Sequence, residues 1–152
     1  MKLQVSTQLA IFALVELVVN PDHQLTVAEI GAKYGVSSHH LAKVMQVLAR
    51  ARLVRSIRGA GGGYQFCGNA RRTTLLDVIE LFEPLGSGGQ DASAPGERTG
   101  EGRALRVVMD EIDNTVRATL SSITLATLCG LVDRHRPEPA GEVKARVAMA
   151  RQ

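Results

Sequence analysis

Residues 53–66 read LVRSIRGAGGGYQF, and the fold turns on how this stretch is understood. Val54 and Ile57 on one side and Tyr64 and Phe66 on the other favour extended backbone. Between them stand Gly59, Gly61, Gly62 and Gly63, the composition of a β-hairpin with a glycine-rich tip. Arg55 and Arg58 lead into the tip, and no acidic residue accompanies them. A basic hairpin of this kind is a wing when a helix-turn-helix precedes it.

The preceding residues have that pattern. Thr26-Val-Ala-Glu29 has capping-box spacing, in which the Thr hydroxyl accepts from the Glu amide and the Glu carboxylate reaches back. Val27, Ala28, Ile30 and Tyr34 give this helix an inward face, and Gly35 ends it. Ser37 is the next N-cap. Leu41, Val44, Met45, Leu48 and Ala51 then mark one side of a second helix running to about Arg52. Its polar side carries Ser38, His39, His40, Lys43, Gln46 and Arg50, donors and acceptors suited to a major groove entered by the helix N-terminus. The candidate nucleic-acid contacts are therefore Ser37, Ser38, His39, His40, Lys43, Gln46 and Arg50 on the helix, with Arg55, Arg58, Gly59, Gly61 and Gly62 on the wing. A solvated helix face is the bland alternative; the capped helix before it and the basic wing after it favour DNA. His39 and His40 are neighbours and do not face one another, so they do not form a metal pair.

Further upstream, a helix from Ser6 or Thr7 to Asn20 has apolar residues at Leu9, Phe12, Ala13, Val15, Leu17 and Val19 over much of its surface, which predicts burial on most sides. Downstream, Thr74-Leu-Leu-Asp77 is another cap, and Leu75, Val78, Ile79 and Phe82 return to the core until Pro84. Residues 1–83 then form a winged head. Residues 84–103, mostly Gly, Ser, Ala, Pro and charge, predict a flexible linker. Over 104–130 a helix is expected, with Leu105, Met109, Ile112, Val116, Leu120 and Ile123 at spacings of three and four. About 25 residues at ~1.5 Å each give a rod near 40 Å, longer than so small a domain covers, so its stripe is expected to pair with a second copy. A helix folded back on its own head is the competing reading. Residues 131–152 read as a loosely ordered tail.

Composition narrows the function. The 152 residues are 45% hydrophobic but only 3% aromatic, so aliphatic side chains must fill the core. Residues 1–72 hold nine bases and three acids, a charge of +6, and the remainder is −3. Positive charge thus gathers around the wing, as phosphate binding requires. No apolar run is long enough to span a bilayer and no secretory leader is evident, so a cytoplasmic location is expected. Tyr64 stands where a dinucleotide fingerprint needs its last Gly, and no G-x-S-x-G or G-K-[ST] occurs, so an enzyme is not expected. Cys67 and Cys129 are far apart and in no C-x-x-C pair; two buried, inert thiols are the expectation. Cys67, near Arg71 and Arg72, is also a candidate redox thiol.

Taken together, MKLQVSTQLAIFALVEL, the block LTVAEIGAKYGVSSHHLAKVMQVLARARLVRSIRGAGGGY and the later ITLATL resemble the Rrf2 family of bacterial transcription regulators, in particular its nitric-oxide-sensing branch. The resemblance implies a homodimer crossing through long helices, each winged head on one half of a pseudo-palindromic operator, with the recognition helix in the major groove and Arg58 in the minor groove. A repressor is the first expectation, although the sequence does not reveal the sign of regulation. Iron–sulfur members carry three cysteines between the post-wing helix and the dimer helix, and some take a fourth ligand from an acid near the N-terminus. Here residues 84–105 contain no cysteine, Arg103 stands where the last would fall, and Gln8 occupies the place of the acid. No family-type cluster, and no other cofactor or metal, is therefore expected. An unidentified effector, a Cys67 redox switch, or a winged module that binds protein instead of DNA are the alternatives.

Overall fold

A computed structural model of the chain describes residues 2–85, 96 and 98–135. The elements are α1 (Val5–Val19), α2 (Val27–Tyr34), α3 (Ser38–Arg50), β1 (Val54–Ile57), β2 (Gly63–Phe66), α4 (Leu75–Ile79), α5 (Gly100–Ser122) and α6 (Leu125–His135). The architecture is mainly helical with one antiparallel hairpin, as the sequence predicts.

Helix α1 is the axis of the core. Leu9, Ala10, Ala13, Leu14 and Leu17 are buried, and α3, α4, α6 and β2 all pack against this helix. A helix this uniformly apolar is stable in water only when neighbours cover most of it. From α3 come Leu41, Val44, Met45 and Leu48, and from α4 Val78 and Ile79, all buried. The two halves of the helix-turn-helix begin as the residues dictate. Glu29 N–H donates to Thr26 Oγ1 at 3.1 Å while Thr26 N–H donates to Glu29 Oε2 at 2.8 Å, and His40 N–H donates to Ser37 Oγ at 3.2 Å. Thr26 N–H and the Thr26 hydroxyl, which donates to the same Oε2 at 2.8 Å, hold the Glu29 carboxyl below the usual carboxylate range, the backbone bond being the larger cause. Between α2 and α3, Gly35 adopts φ 65°, the left-handed cap that lets the chain turn at once.

The hairpin pairs Val54 with Phe66 through Ile57 with Gly63. One partner was not legible beforehand. Leu25 forms an isolated antiparallel bridge to Tyr64, donating to its carbonyl at 3.1 Å and accepting from its amide at 2.8 Å. The residue just before the α2 cap is thus tied to the wing, so the helix-turn-helix and hairpin are locked by backbone as well as by packing.

The C-terminal third differs from the expected single helix over 104–130. The helix begins at Gly100, capped by Thr99, so residues 100–103 belong to it and not to a linker. It ends at Ser122, and extended backbone at Ile123 separates it from α6. The break is held by backbone bonds to the segment before α4: Leu75 N–H donates to the Ile123 carbonyl at 2.8 Å, and Leu125 N–H donates to the Thr73 carbonyl at 2.9 Å. Thr124 then caps the new helix by accepting from Thr127 N–H at 3.1 Å. After the break α6 packs against α1 and buries Leu125 and Cys129. Residues 131–135, expected to start a loose tail, complete α6; residues 136–152 and most of the 84–99 linker lie outside the described residues.

Candidate nucleic-acid interface

Helix α3 is amphipathic by periodicity, and tertiary packing uses each side once. Burial of Leu41, Val44, Met45 and Leu48 against α1 leaves His39, Lys43, Gln46 and Arg50 exposed at spacings of four, three and four, a single stripe along the outer face. Ser37 and Ser38 are exposed at its N-terminus, where unsatisfied amides and the helix dipole favour phosphate. From Ile30 to Leu76 there is no acidic residue and there are eight Lys or Arg, so nothing in this stretch of chain repels a polyanion.

The wing presents Arg58, Gly59 and Gly61 to solvent. Gly59 and Gly61 have φ of 109° and 77°, conformations that side-chain-bearing residues seldom adopt, so the tip needs glycine for its shape. Three expected contacts have duties within the chain. Gly62 is half-buried, and a Cβ there would sit 2.5 Å from the Ile57 carbonyl oxygen, so its glycine answers a close backbone approach. Arg55 Nη2 donates to Gln65 Oε1 across the hairpin at 2.7 Å, and Gln65 Nε2 donates onward to the Pro21 carbonyl at 2.8 Å. His40 is only half-exposed, with Nε2 3.1 Å from Ser6 Oγ of α1. Its ring thus meets α1, one helical step round from the outer stripe.

The seam expected for dimerisation is divided by the fold. Leu120 is 8% exposed and belongs to the chain's own core, Val116 packs on that core, and Ile123 lies in the break between α5 and α6. Arg117 ties the same end of α5 down, donating to Glu80 Oε1 at 2.6 Å and to the Leu85 carbonyl. Leu105, Met109 and Ile112 remain exposed, and Val107 and Val108, absent from the expected seam, are exposed beside them.

The cysteines also separate. Cys129 is buried, as expected, and burial with the neighbouring Asp133 charge pushes its thiol up. Cys67 is exposed, contrary to the expectation of a buried thiol, because β2 ends at Phe66 and its sulfur lies 3.3 Å from the Arg52 carbonyl on the outside of the hairpin. Among the described residues no three His, Cys, Asp or Glu converge as a metal site. Gln8 does not point to such a site either: its amide donates to the Leu3 carbonyl at 3.0 Å.

A capped helix pair, an outward polar stripe and a basic hairpin define a winged helix-turn-helix protein. The chain belongs to the Rrf2 family of transcriptional regulators: the family model, described as iron-dependent transcriptional regulators, matches residues 3–130. It is 45% identical over 136 residues to the HTH-type transcriptional regulator BadM of Rhodopseudomonas palustris, covering 90% of this chain and 86% of that protein. Its structure is similar to that of CymR, described as the global cysteine regulator of B. subtilis, with a TM-score of 0.73, 25% identity and coverage of 86% and 98%. It shares the fold of IscR from T. potens, with a TM-score of 0.72, 21% identity and coverage of 94% and 96%. The family consists of regulators, not enzymes, and no helix among the described residues is long and apolar enough to cross a membrane.

Proposed function

We propose that the chain is a homodimeric repressor that binds a pseudo-palindromic operator, α3 entering the major groove and the Arg58 tip the adjoining minor groove. The observation that carries this reading is the exposed His39, Lys43, Gln46 and Arg50 stripe within a stretch that holds no acid. Lys and Arg contacts to phosphate supply most of the affinity, while Ser38, His39 and Lys43 at the leading turn of α3 read base edges. Bare Leu105, Met109 and Ile112 supply the reason to dimerise. The donor set supports a regulator without a family-type iron–sulfur cluster, since two thiols on separate elements, one of them buried, do not make a cluster ligand set.

The test is a titration of the purified protein against duplexes from its own promoter region at several salt concentrations. A specific site with log affinity falling steeply against log salt supports the proposal. A folded protein that binds no such fragment, and keeps its cellular role when Arg58 and Lys43 are both reversed to Glu, supports a protein-binding module instead. Iron and acid-labile sulfide assays of anaerobically purified protein test the cluster. The exposure of Cys67 beside the wing favours one second reading, a thiol-switched regulator. Operator affinity that changes on thiol oxidation in the native chain but not in Cys67→Ser carries that reading.

A further inference from the structure

Helices α2 and α4 start with one device: the N-cap amide donates to a carboxylate three residues on, Thr26 to Glu29 and Thr74 to Asp77, each at 2.8 Å. Helix α1 keeps this chemistry and changes its source. Its N-cap, Gln4, makes no side-chain cap, its first turn holds no acid, and its third helical residue is Thr7. The carboxylate that meets the Gln4 amide belongs to Glu83, 79 residues away. Glu83 Oε1 accepts from Gln4 N–H at 3.0 Å and from the hydroxyl of fully buried Thr7 at 2.6 Å. Its negative charge also faces the positive end of the α1 dipole. Val5 is 60% exposed, so packing alone does little to hold the outer side of that turn.

Glu83 is itself fixed by its neighbours. Its N–H donates to the carbonyl of buried Ile79 at 3.0 Å, which continues the turn at the end of α4. Arg117 of α5 grips the residues around it, donating to Glu80 Oε1 at 2.6 Å and to the Leu85 carbonyl. Within the same α1 turn, Ser6 Oγ lies 3.1 Å from His40 Nε2. His40 is the third residue of α3, and its neighbour His39 begins the exposed stripe. One carboxylate thus closes the turn that carries Ser6, and Ser6 meets the leading turn of α3.

We infer that Glu83 is a positioning residue for operator reading: by closing the first turn of α1 it keeps Ser6 against His40, and so holds residues 37–43 in the conformation that fits the groove. The inference rests on the DNA-binding reading above. Glu83 acts without touching the duplex. When it is lost the α1 turn frays, the leading turn of α3 samples other conformations, and only a fraction of the protein is ready to bind. The bound state itself is unchanged, so the loss falls on affinity while the order of base preferences is kept. Because Arg117 grips the same segment, α5 has a hydrogen-bonded route to the reading turn.

The test compares Glu83→Ala, Glu83→Gln and Ser6→Ala with the native chain in operator titrations and in amide hydrogen exchange. Glu83→Ala should bind the operator about 5- to 10-fold more weakly, the scale of a lost cap, with salt slope and base ranking unchanged. Glu83→Gln keeps an acceptor oxygen and should recover part of the loss. In a Ser6→Ala background, Glu83→Ala should weaken operator binding little further, although it still lowers the melting temperature. A cap that served stability alone would leave operator affinity native, or would cost the same affinity with and without Ser6; either result overturns the inference. Exchange decides without DNA. In Glu83→Ala the amides of Gln8, His40 and Leu41 should exchange faster, whereas Glu29 and Ile30 at the start of α2, closed by its own box, should not change. Native exchange at His40 and Leu41 overturns the inference even where the operator is bound. A native chain that binds no operator overturns the DNA-binding reading, and operator positioning with it, whatever the exchange shows. Should circular dichroism find Glu83→Ala unfolded, Thr7→Val, which removes one of the two donors to Glu83, takes its place in each comparison. A smaller loss of the same sign supports the inference, and native affinity overturns it.

Discussion

Helices α3 and α5 carry the same kind of pattern and meet opposite fates. Both repeat apolar residues every three or four positions, yet Leu41, Val44, Met45 and Leu48 of α3 are buried among α1, α2 and β1 while the first half of the α5 stripe faces solvent. What α3 leaves bare is polar and cationic; what α5 leaves bare is Leu, Val, Met and Ile. The contrast shows that amphipathic period specifies that one face will be covered, without saying by which chain. A helix set among the buried positions of a small head satisfies itself, and one that outruns that head leaves part of its stripe bare.

The largest effects should separate these two helices. Leu41→Ala removes a fully buried α3 side chain and should cost about 2–5 kcal/mol in urea unfolding. Ile112→Ala, on an exposed α5 position, should cost little in the monomer, and any loss it causes should depend on protein concentration. Equal, concentration-independent losses at both positions would sink the contrast.

Next, Leu105→Glu with Ile112→Glu should leave the head folded but monomeric, with operator affinity lowered by roughly 10²-fold as two linked half-sites become one. An unchanged sedimentation coefficient would break the claim that bare apolar residues on α5 mean a partner. On the polar side, Arg58→Ala and His39→Ala should each cost roughly 1–3 kcal/mol of operator binding, with relaxed preference at the positions they read. His40→Ala should instead lower the stability of the head, because its ring meets Ser6 Oγ of α1. If His40→Ala relaxes sequence preference as His39→Ala does, its inward assignment is wrong.

The smallest effect concerns the cap that starts α2. Thr26→Ala should cost about 1 kcal/mol by thermal or urea unfolding. Because the folded-state Glu29 carboxyl titrates below its ordinary value, its contribution is present above the unfolded-state value and fades as pH falls through the folded one. Native stability should therefore decline slightly more on acidification than that of Glu29→Gln, which lacks this titration.

Much of the head was legible because its signals are local. The capping boxes at Thr26 and Thr74, the Ser37 cap and the Gly35 turn each depend on residues three or four apart. The outer stripe of α3 could be read from period alone, whereas the His40 contact with Ser6 of α1 could not, since it joins residues 34 positions apart. The wing was recognisable from its glycines and arginines. Its tie to Leu25 was not, because that bridge joins residues about forty positions apart and a lone bridged residue leaves no periodic trace. Beyond the head, the period in α5 continued smoothly through Leu120 and Ile123 and concealed the break. Thr124 and Thr127 were the available sign, a cap spacing inside what looked like one helix.

By itself the sequence determined where the helices of the winged head start, which faces are apolar, and that positive charge collects around a glycine hairpin, because each of these follows from neighbouring residues in a chain of fixed geometry. Only the tertiary structure decided that the last helix breaks at Ile123, that Cys67 lies outside, and that half of the α5 stripe belongs to the head's own core. Those outcomes depend on which distant backbone groups satisfy one another, and on how far a single core reaches along a helix longer than itself.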